Sequence, residues 1–402
     1  MKIMKESQER NQDSGLRNKK LSLYIHIPFC ELICPYCDFN KYSNVDYLIK
    51  DFIESLLNEI EIKSKEYKEY HINSIFFGGG TPSYLNDSDL SRVVEKIRSC
   101  FHISDNAEFS IEVNPSDLNK KRLINYSSLG VNRISVGGQS FDDDVLLKLG
   151  RNHNSKALIK SLNHLKESNI NNINLDLIFG VPGQSLDQWK DSLDKFIEFN
   201  IPHISTYCLT FEPKTKYYKE LKEKKISEPK ESLIVKMFNY TSKFLYHNEY
   251  NQYEISNWSK KDFECKHNLR YWMMEDYLGF GPGSSSLVDG ERSKNIRSLK
   301  EYIKKLKTKN SSSKIYTQQN YINSNKDNMF EYIMLNLRLK AGVNHDAFFT
   351  KFKNDFFSMN KELISDLAIN GLINNDKYNT SLTKKGIMVS DEISRKFIQK
   401  LI

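Results

Sequence analysis

Short apolar runs alternate with longer amphipathic stretches along the first half of the chain. The runs are rich in β-branched and aromatic residues, which favours strands. Six candidate strands follow from this pattern: 21–27, 73–79, 108–113, 132–138, 173–179 and 203–209. Between them lie helical patterns such as 45–67, where apolar residues recur at helical spacing at Leu48, Phe52, Leu56 and Ile60. Strand–helix alternation predicts an α/β fold with a parallel sheet, and six units indicate a partial (β/α)6 barrel.

Polar and glycine-rich segments follow the candidate strands. In chain order they are three clustered cysteines, GGGTP (78–82), Glu112 with Asn114, GGQSF (137–141), and Asp176 with FGVPGQS (179–185). A barrel of this type places its active site at the carboxyl ends of its strands. The sequence therefore predicts one site to which all of these segments contribute.

Two of these loops also contain helix-start signals. Ser185, with Gln188 three residues later, matches a capping box. Ser140, with Asp143 three residues later, is a weaker match to the same pattern. We therefore expect helices to begin at both serines.

The regular alternation stops near residue 211, and we divide the chain accordingly. Residues 1–20 are polar and predict a disordered tail, 21–210 form the barrel, and 211–328 form an extension with a helical stretch (229–247) and a polar linker (304–328). Residues 329–402 predict a compact helical domain with a turn at LTKKG (382–386) and a final helix. That pattern is similar to a small winged-helix domain.

Composition narrows the class of protein. The net charge is +8, but lysines are scattered among acidic residues, so the surplus indicates a solvated surface and no nucleic-acid partner. No stretch approaches 18 uninterrupted apolar residues, and the first twenty residues lack the apolar core of a signal peptide. We therefore expect a cytoplasmic protein, in which reduced, clustered cysteines bind metal or take part in catalysis.

The segment FCELICPYCDF (29–39) holds Cys30, Cys34 and Cys37 in the spacing C-x3-C-x2-C. A structural zinc site takes four ligands. The nearest extra ligand is His26, which lies inside a candidate strand. A [4Fe–4S] cluster is normally held by four cysteines, so three would leave one iron free to bind a substrate. The cluster explains the count better, with zinc as the less favoured alternative.

This cysteine motif after the first strand, followed by GGGTP after the second, resembles the radical S-adenosylmethionine (SAM) enzymes. The resemblance implies a [4Fe–4S] cluster on Cys30, Cys34 and Cys37, whose open iron chelates the amino and carboxylate groups of SAM. It also implies that the reduced cluster cleaves SAM to a 5′-deoxyadenosyl radical.

Further segments resemble one branch of that superfamily, which contains the coproporphyrinogen dehydrogenases (HemN) and the haem chaperones of the HemW type. They are LSLYIHIPFC (21–30), IFFGGGTPSYL (75–85), IEVNP (111–115), GVNRISVGGQSF (130–141), NLDLIFGVPGQS (174–185), NLRYWMMEDYLGFGPGSSS (268–286), LNLRLKAGV (335–343) and LTKKG (382–386). Gly138 departs from the family, which commonly has a larger residue there.

The family's SAM contacts would fall on Tyr24, Tyr36, Gly79, Gly80, Thr81, Glu112, Gln139, Arg151 and Asp176. The residues themselves leave simpler alternatives open. The glycines could form only a tight turn, the carboxylates could cap helices or pair with cations, Arg151 could lie on the surface, and the tyrosines could simply pack.

Two features favour the chaperone branch. Phe39 stands where the dehydrogenases typically have a fourth cysteine. In addition, CKHNLRYW (265–272) resembles the H-N-x-x-Y-W motif of the HemW-like proteins, which implies that His267 binds haem iron beside the flat rings of Tyr271 and Trp272. A histidine packed in the core is the alternative. We expect Cys100, Cys208 and Cys265 to be ordinary thiols.

The expected function is therefore that of a chaperone that binds haem and transfers it to apo-haemoprotein clients, with the cluster and SAM in support. The alternative is an oxygen-independent coproporphyrinogen III oxidase, which abstracts hydrogen from a propionate side chain and decarboxylates it. A different radical SAM reaction is a third option. The sequence does not decide whether the chain forms a homodimer or whether its C-terminal domain contacts a client or a membrane surface.

Overall fold

The computed structural model describes residues 19–307 and 316–401. Its first half alternates strands and helices: β1 (Lys19–Ile27), α1 (Ile49–Ser64), β2 (Tyr70–Gly79), α2 (Asp87–Cys100), β3 (His102–Val113), α3 (Lys120–Ser128), β4 (Arg133–Gln139), α4 (Asp143–Lys148), α5 (Ser155–Lys166), β5 (Asn172–Phe179), α6 (Leu186–Phe199) and β6 (His203–Cys208). Each strand pairs in parallel with the next one along the chain. This consecutive order confirms the predicted partial (β/α)6 barrel.

The predicted N-terminal tail covers residues 1–20. Residues 1–18 lie outside the described residues, whereas Lys19 and Lys20 form the first two positions of β1.

Further strands extend the sheet beyond both edges of the barrel. The elements that follow β6 are α7 (Lys216–Lys222), α8 (Glu231–His247), β7 (Asn251–Gln252), β8 (Asn257–Ser259), α9 (Lys266–Trp272), β9 (Tyr277–Phe280), β10 (Ser285–Val288), β11 (Glu291–Asn295), α10 (Leu299–Leu306) and β12 (Thr317–Ile322). The complete order is β12-β11-β10-β9-β1-β2-β3-β4-β5-β6-β8-β7. The predicted linker at 304–328 was therefore wrong in part, because β12 lies within it; its residues 308–315 lie outside the described residues.

The C-terminal part combines helices with a small sheet. Its elements are α11 (Asn325–Leu337), β13 (Val343–Asn344), α12 (His345–Phe352), α13 (Phe356–Ile369), β14 (Ile373–Asn375), β15 (Asn379–Leu382), α14 (Lys384–Ile387) and α15 (Ser390–Leu401). The strands pair antiparallel in the order β13-β15-β14. The predicted turn at 382–386 is instead a helix start, since the Thr383 side chain accepts a hydrogen bond from the Gly386 amide and caps α14.

Side chains of the barrel strands alternate between an apolar outer face and a polar inner face. On β1, Leu21, Leu23, Ile25 and Ile27 are almost fully buried in the main core. The intervening positions point inward, as the Ser74 hydroxyl shows by donating to Ser22 Oγ at 2.8 Å. Buried polar residues from the inner faces of the six strands are Ser22, Ser74, Glu108, Ser110, Arg133, Ser135, Asn174, His203 and Ser205. The space that they enclose, here called the lumen, is consequently polar.

The two predicted helix starts had different outcomes. Ser185 forms the full capping box with Gln188 at the start of α6. The expectation at Ser140 was wrong, because Asp142 caps α4 by accepting a hydrogen bond from the Val145 amide. Carboxylates satisfy free amides at a helix start especially well, and Asp142 lies directly before the helix.

Candidate functional site

A cavity of 410 Å³ opens at the carboxyl ends of the barrel strands. Its wall includes Cys30, Cys34, Cys37, Tyr36, Gly79, Gly80, Thr81, Glu112, Gln139, Arg151 and Asp176. All three predicted cluster ligands and eight of the nine predicted SAM contacts therefore face one space, with Tyr24 as the exception.

The three cysteines lie on the loop after β1. The Thr81 hydroxyl donates to Cys30 Sγ at 3.4 Å, and the Arg151 guanidinium donates to Cys34 Sγ at 3.4 Å. Burial raises the pKa of the Cys30 thiol to about 11 and also raises that of Cys37. Within residues 19–307 and 316–401, no three Cys, His, Asp or Glu side chains are close enough together to hold a metal ion. The three thiols nevertheless line one cavity, and a metal cluster bound between them would stabilise their deprotonated form.

His26 is already engaged and does not complete a zinc site. Its Nε2 donates to the Asn40 carbonyl at 2.7 Å, so Nδ1 accepts from the Tyr24 hydroxyl at 3.1 Å. Burial lowers the pKa of His26 to about 4, which keeps the ring neutral. With both nitrogens occupied, His26 acts as a structural residue beneath the cysteine loop.

The glycines after β2 allow the loop to approach its neighbours closely. Gly79 has φ +113°, and a Cβ there would lie 2.4 Å from His26 Nδ1. A Cβ on Gly80 would lie 2.7 Å from the Phe29 carbonyl oxygen. Both residues also line the cavity. Gly79 and Gly80 can therefore both form the tight turn and contact a ligand. Close packing leaves no room for a side chain at either position, and the bare backbone faces the cavity.

Two half-buried carboxylates face the same cavity. The Gly79 amide donates to Glu112 Oε2 at 3.1 Å, and Asp176 accepts from Asn174 at 2.8 Å and from Ser135 at 3.3 Å. Burial, followed by repulsion from Asp176, raises the pKa of Glu112 to about 7. Burial also raises the pKa of Asp176. A cationic ligand in the cavity would stabilise the ionised form of both groups.

Arg151 supplies positive charge to the wall of the cavity and is not a free surface residue. Its guanidinium donates to Asn114 Oδ1 at 2.6 Å and to the Gly137 carbonyl at 3.1 Å. Its buried Nε has no partner among the described residues. Gln139, also in the wall, adopts φ +63°, a conformation that is strained for a non-glycine residue. The wall thus combines groups suited to a carboxylate with groups suited to a cation, as a zwitterionic amino acid such as the methionine part of SAM requires.

Several residues lie where the sequence did not predict them. Tyr24 is deeper in the lumen than the cavity wall, with its ring stacked on Phe76 at 6.3 Å. Cys208, expected to be an ordinary thiol, lines the cavity at the end of β6. Its position at a strand end was the signal available in the sequence. Gly138 packs so closely that a Cβ would lie 2.6 Å from Leu175 Cδ1, which explains the small residue in this chain.

Exposed apolar side chains of the cysteine loop line part of the cavity. Phe39 is 65% exposed, Leu32 56% and Ile33 49%. All three belong to the cysteine loop and line the cavity. Phe39 therefore replaces a polar ligand position with an apolar surface at the entrance.

His267 lies in the lower part of the lumen, away from the cavity. Its Nδ1 is 2.8 Å from Ser74 Oγ, its Nε2 is 2.8 Å from the Tyr271 hydroxyl, and its ring stacks on Phe76 at 5.1 Å. The residue is fully buried, and burial lowers its pKa to about 3. Ser74 precedes Gly78 by four strand residues, or roughly 13 Å along β2. The haem-ligand assignment stays a prediction, and in this conformation both nitrogens of the ring are occupied.

Comparison with known proteins places this site in context. Residues 24–196 match the radical SAM superfamily, and residues 323–389 match the HemN C-terminal domain. The haem chaperone HemW of Bacillus subtilis is 34% identical over 381 residues, which cover 94% of this chain and 100% of that protein. HemW of Buchnera aphidicola subsp. Schizaphis graminum is 37% identical, covering 94% and 98%.

A solved structure agrees with the fold. Coproporphyrinogen III oxidase (HemN) from Escherichia coli, a radical SAM enzyme, superposes with a TM-score of 0.83 at 24% identity, covering 94% of this chain and 90% of that one. At this identity the likeness shows a shared fold. The near-complete alignment with HemW proteins identifies the branch, and the chain belongs to the HemW family within the radical SAM superfamily.

Proposed function

We propose that this protein is a haem chaperone, which binds haem and transfers it to client haemoproteins with the support of a [4Fe–4S] cluster and SAM. The observation that carries the proposal is full-length similarity to proteins named haem chaperone HemW. Two sequence features support the same branch. Phe39 stands where a four-cysteine motif would have its last cysteine, and the segment 265–272 carries the histidine motif.

The residues of the cavity fit the two proposed cofactors. A [4Fe–4S] cluster with bound SAM would supply radical chemistry when reduced. Cys30, Cys34 and Cys37 would hold the cluster, because they are the only cysteines of the loop and face one space. The Arg151 guanidinium, which lines the cavity, would attract an anionic group, and the Glu112–Asp176 pair would receive a cationic one or the ribose hydroxyls. Tyr36, in the wall directly before Cys37, would offer its ring to the adenine.

The proposed haem ligand is His267, in its neutral form. Its pKa of about 3 means that the ring needs no deprotonation before it binds iron. Tyr271 and Trp272 are on the same helix and would supply aromatic surface to the porphyrin. Haem binding there requires the bonds from the ring to Ser74 and Tyr271 to break.

Cytoplasmic location and the apo-haemoprotein clients remain parts of the proposal, and the options of a homodimer or a peripheral membrane contact stay open. Among the residues that the structure describes, every helix is too short or too polar to cross a membrane.

The test is a haem titration of the anaerobically reconstituted protein, followed by mixing with an apo-haemoprotein. We expect a Soret shift that is lost in His267→Ala, and transfer of haem to the acceptor. Equal haem binding by wild type and His267→Ala would remove His267 as the ligand. Absence of haem binding together with SAM-dependent formation of protoporphyrinogen would replace the proposal by the oxidase activity.

A further inference from the structure

Helix α9, which carries His267, begins without a cap from its own segment. Its N-cap residue, Cys265, makes no side-chain capping hydrogen bond. The first amides of a helix have no partners within it and need an acceptor from elsewhere. Glu108, on β3, supplies that acceptor: the Lys266 amide donates to Oε2 at 2.9 Å, and the His267 amide donates to Oε1 at 3.0 Å. These two bonds are here called the clasp.

The clasp lies in the interior of the protein. Glu108 is 4% exposed, and the Cys265 thiol lies 3.6 Å from its Oε1. Arg133, on β4, is 2% exposed and provides a neighbouring positive charge. Hydrogen bonds to a charged acceptor are strong, and those shielded from water are costly to break. Glu108 therefore anchors α9 to the barrel more firmly than an exposed cap would.

The last residue of α9, Trp272, packs against the C-terminal part of the chain. The Arg338 guanidinium lies over the Trp272 ring at 5.0 Å, and Asn336 donates to the Trp272 carbonyl at 3.2 Å. Both partners belong to the C-terminal part of the chain, at α11 and just after it. Helix α9 thus lies between the barrel and α11, with Lys266 exposed and His267 fully buried. The His267 ring cannot reach a porphyrin while the clasp is closed.

We propose that Glu108 is a positioning residue that holds the His267 helix in a closed state, and that release of the clasp admits haem to His267. This inference rests on the proposed haem-binding function and adds a regulatory step to it. Sequence similarity gave Glu108 no role. The two bonds of Glu108 to α9 and the full burial of the His267 ring support this role.

A purely structural cap and a closing clasp make different predictions. Loss of a structural cap lowers stability and leaves haem association unchanged or slower. Loss of a closing clasp opens α9 and makes haem association faster, but only when His267 is present. The second behaviour requires that opening of the helix limits the rate of haem binding.

The test uses the full chain with Glu108→Gln, which preserves size but removes the charge. We expect amide hydrogen exchange at residues 265–272 to accelerate roughly ten-fold, and haem association to accelerate by a similar factor. Glu264→Gln, which removes a charge next to α9 without changing the clasp, should match wild type. In Glu108→Gln/His267→Ala the gain in haem association should disappear.

The inference is overturned if Glu108→Gln exchanges faster at α9 but binds haem no faster, or if exchange there does not change. If Glu108→Gln does not fold, Glu108→Asp provides the second test, since the shorter side chain keeps the charge but draws the carboxylate away from the Lys266 and His267 amides. Faster exchange at residues 265–272 with unchanged haem association in Glu108→Asp would then overturn the inference. If wild type and His267→Ala bind haem equally, His267 is not the ligand, and the proposed haem site fails together with the clasp. If wild type binds haem through His267 but Glu108→Gln associates with haem at the wild-type rate, only the clasp is excluded.

Discussion

The two ends of the lumen differ in how open their polar residues are to a ligand. At the carboxyl end, the cysteines, Glu112 and Arg151 are half-buried and surround a cavity of 410 Å³. At the other end, both nitrogens of His267 are hydrogen-bonded, and its ring is fully buried. The first arrangement is ready to receive a ligand, and the second must open to receive one.

This difference predicts different behaviour for cofactor binding at the cavity and haem binding at His267. A cavity that is already formed can receive a ligand without breaking hydrogen bonds of the protein. A buried ring with two hydrogen bonds must lose them before it can bind another partner. We therefore expect cofactor binding to be limited by the affinity of a formed site, and haem binding to be limited by a change in conformation.

The largest expected effect is at the open end. Cys30→Ser, Cys34→Ser or Cys37→Ser should each abolish the [4Fe–4S] absorbance of the reconstituted protein, because no other cysteine lies on that loop. Cys208→Ser is the matched control, since this thiol lines the same cavity and is not assigned to the cluster. Iron and sulfide analysis measures the cluster content of the three variants and of the control. A cluster of full occupancy in any of the three variants contradicts the ligand assignment.

A smaller effect is expected where the glycine loop packs on His26. Gly79→Ala should lower the free energy of unfolding by roughly 3 kcal/mol, which combines a backbone penalty with overpacking. His26 cannot move aside easily, because both of its nitrogens are hydrogen-bonded.

The matched control for that variant is Gly290→Ala. Gly290 also has a positive φ, of +81°, but nothing lies within 4 Å of its Cβ position. It should cost only about 1 kcal/mol. Equal losses in the two variants, measured by chemical denaturation, would show that the packing of the loop against His26 is not tight.

The pH dependence of SAM binding tests the carboxylates of the open end. Burial raises the pKa of Glu112 to about 7, so the group becomes ionised as the pH rises through that value. Since the ionised form attracts the cationic groups of SAM, affinity should rise roughly ten-fold between about pH 6 and about pH 8. Glu112→Gln should bind SAM more weakly at pH 8 and lose this dependence. Calorimetric titration at several pH values measures it, and an unchanged profile in Glu112→Gln would exclude Glu112 as the titrating group.

The smallest effect contrasts the sealed end with the open one. Ser74→Ala removes the partner of His267 Nδ1 and should lower the free energy of unfolding by about 1–2 kcal/mol. Cys208→Ala, in the wall of the open cavity, should change it by less than about 0.5 kcal/mol. Denaturation of both variants without cofactors gives the comparison. A Cys208→Ala loss equal to that of Ser74→Ala would contradict the proposed difference between the two ends.

The sequence predicted the open end better than the sealed one. Short runs rich in β-branched and aromatic residues located all six barrel strands, and strand ends indicated where the cysteines, Glu112 and Asp176 meet. The short strands β9–β12 were missed because runs of only four to six residues carry little signal, and β11 and β12 in addition have few apolar side chains.

The clasp could not be predicted, because Glu108 and His267 are 159 positions apart and nothing local links them. The depth of Tyr24 was missed for a related reason. Strand parity predicts that its side chain points into the lumen, but only the assembled barrel shows how far it lies from the cavity.

The most direct test measures haem binding and coproporphyrinogen turnover on one anaerobically reconstituted sample that contains the cluster and SAM. We predict a Soret shift that depends on His267, transfer of haem to an apo-haemoprotein, and no formation of protoporphyrinogen. Formation of protoporphyrinogen with consumption of SAM, in a sample that binds no haem, would contradict the account.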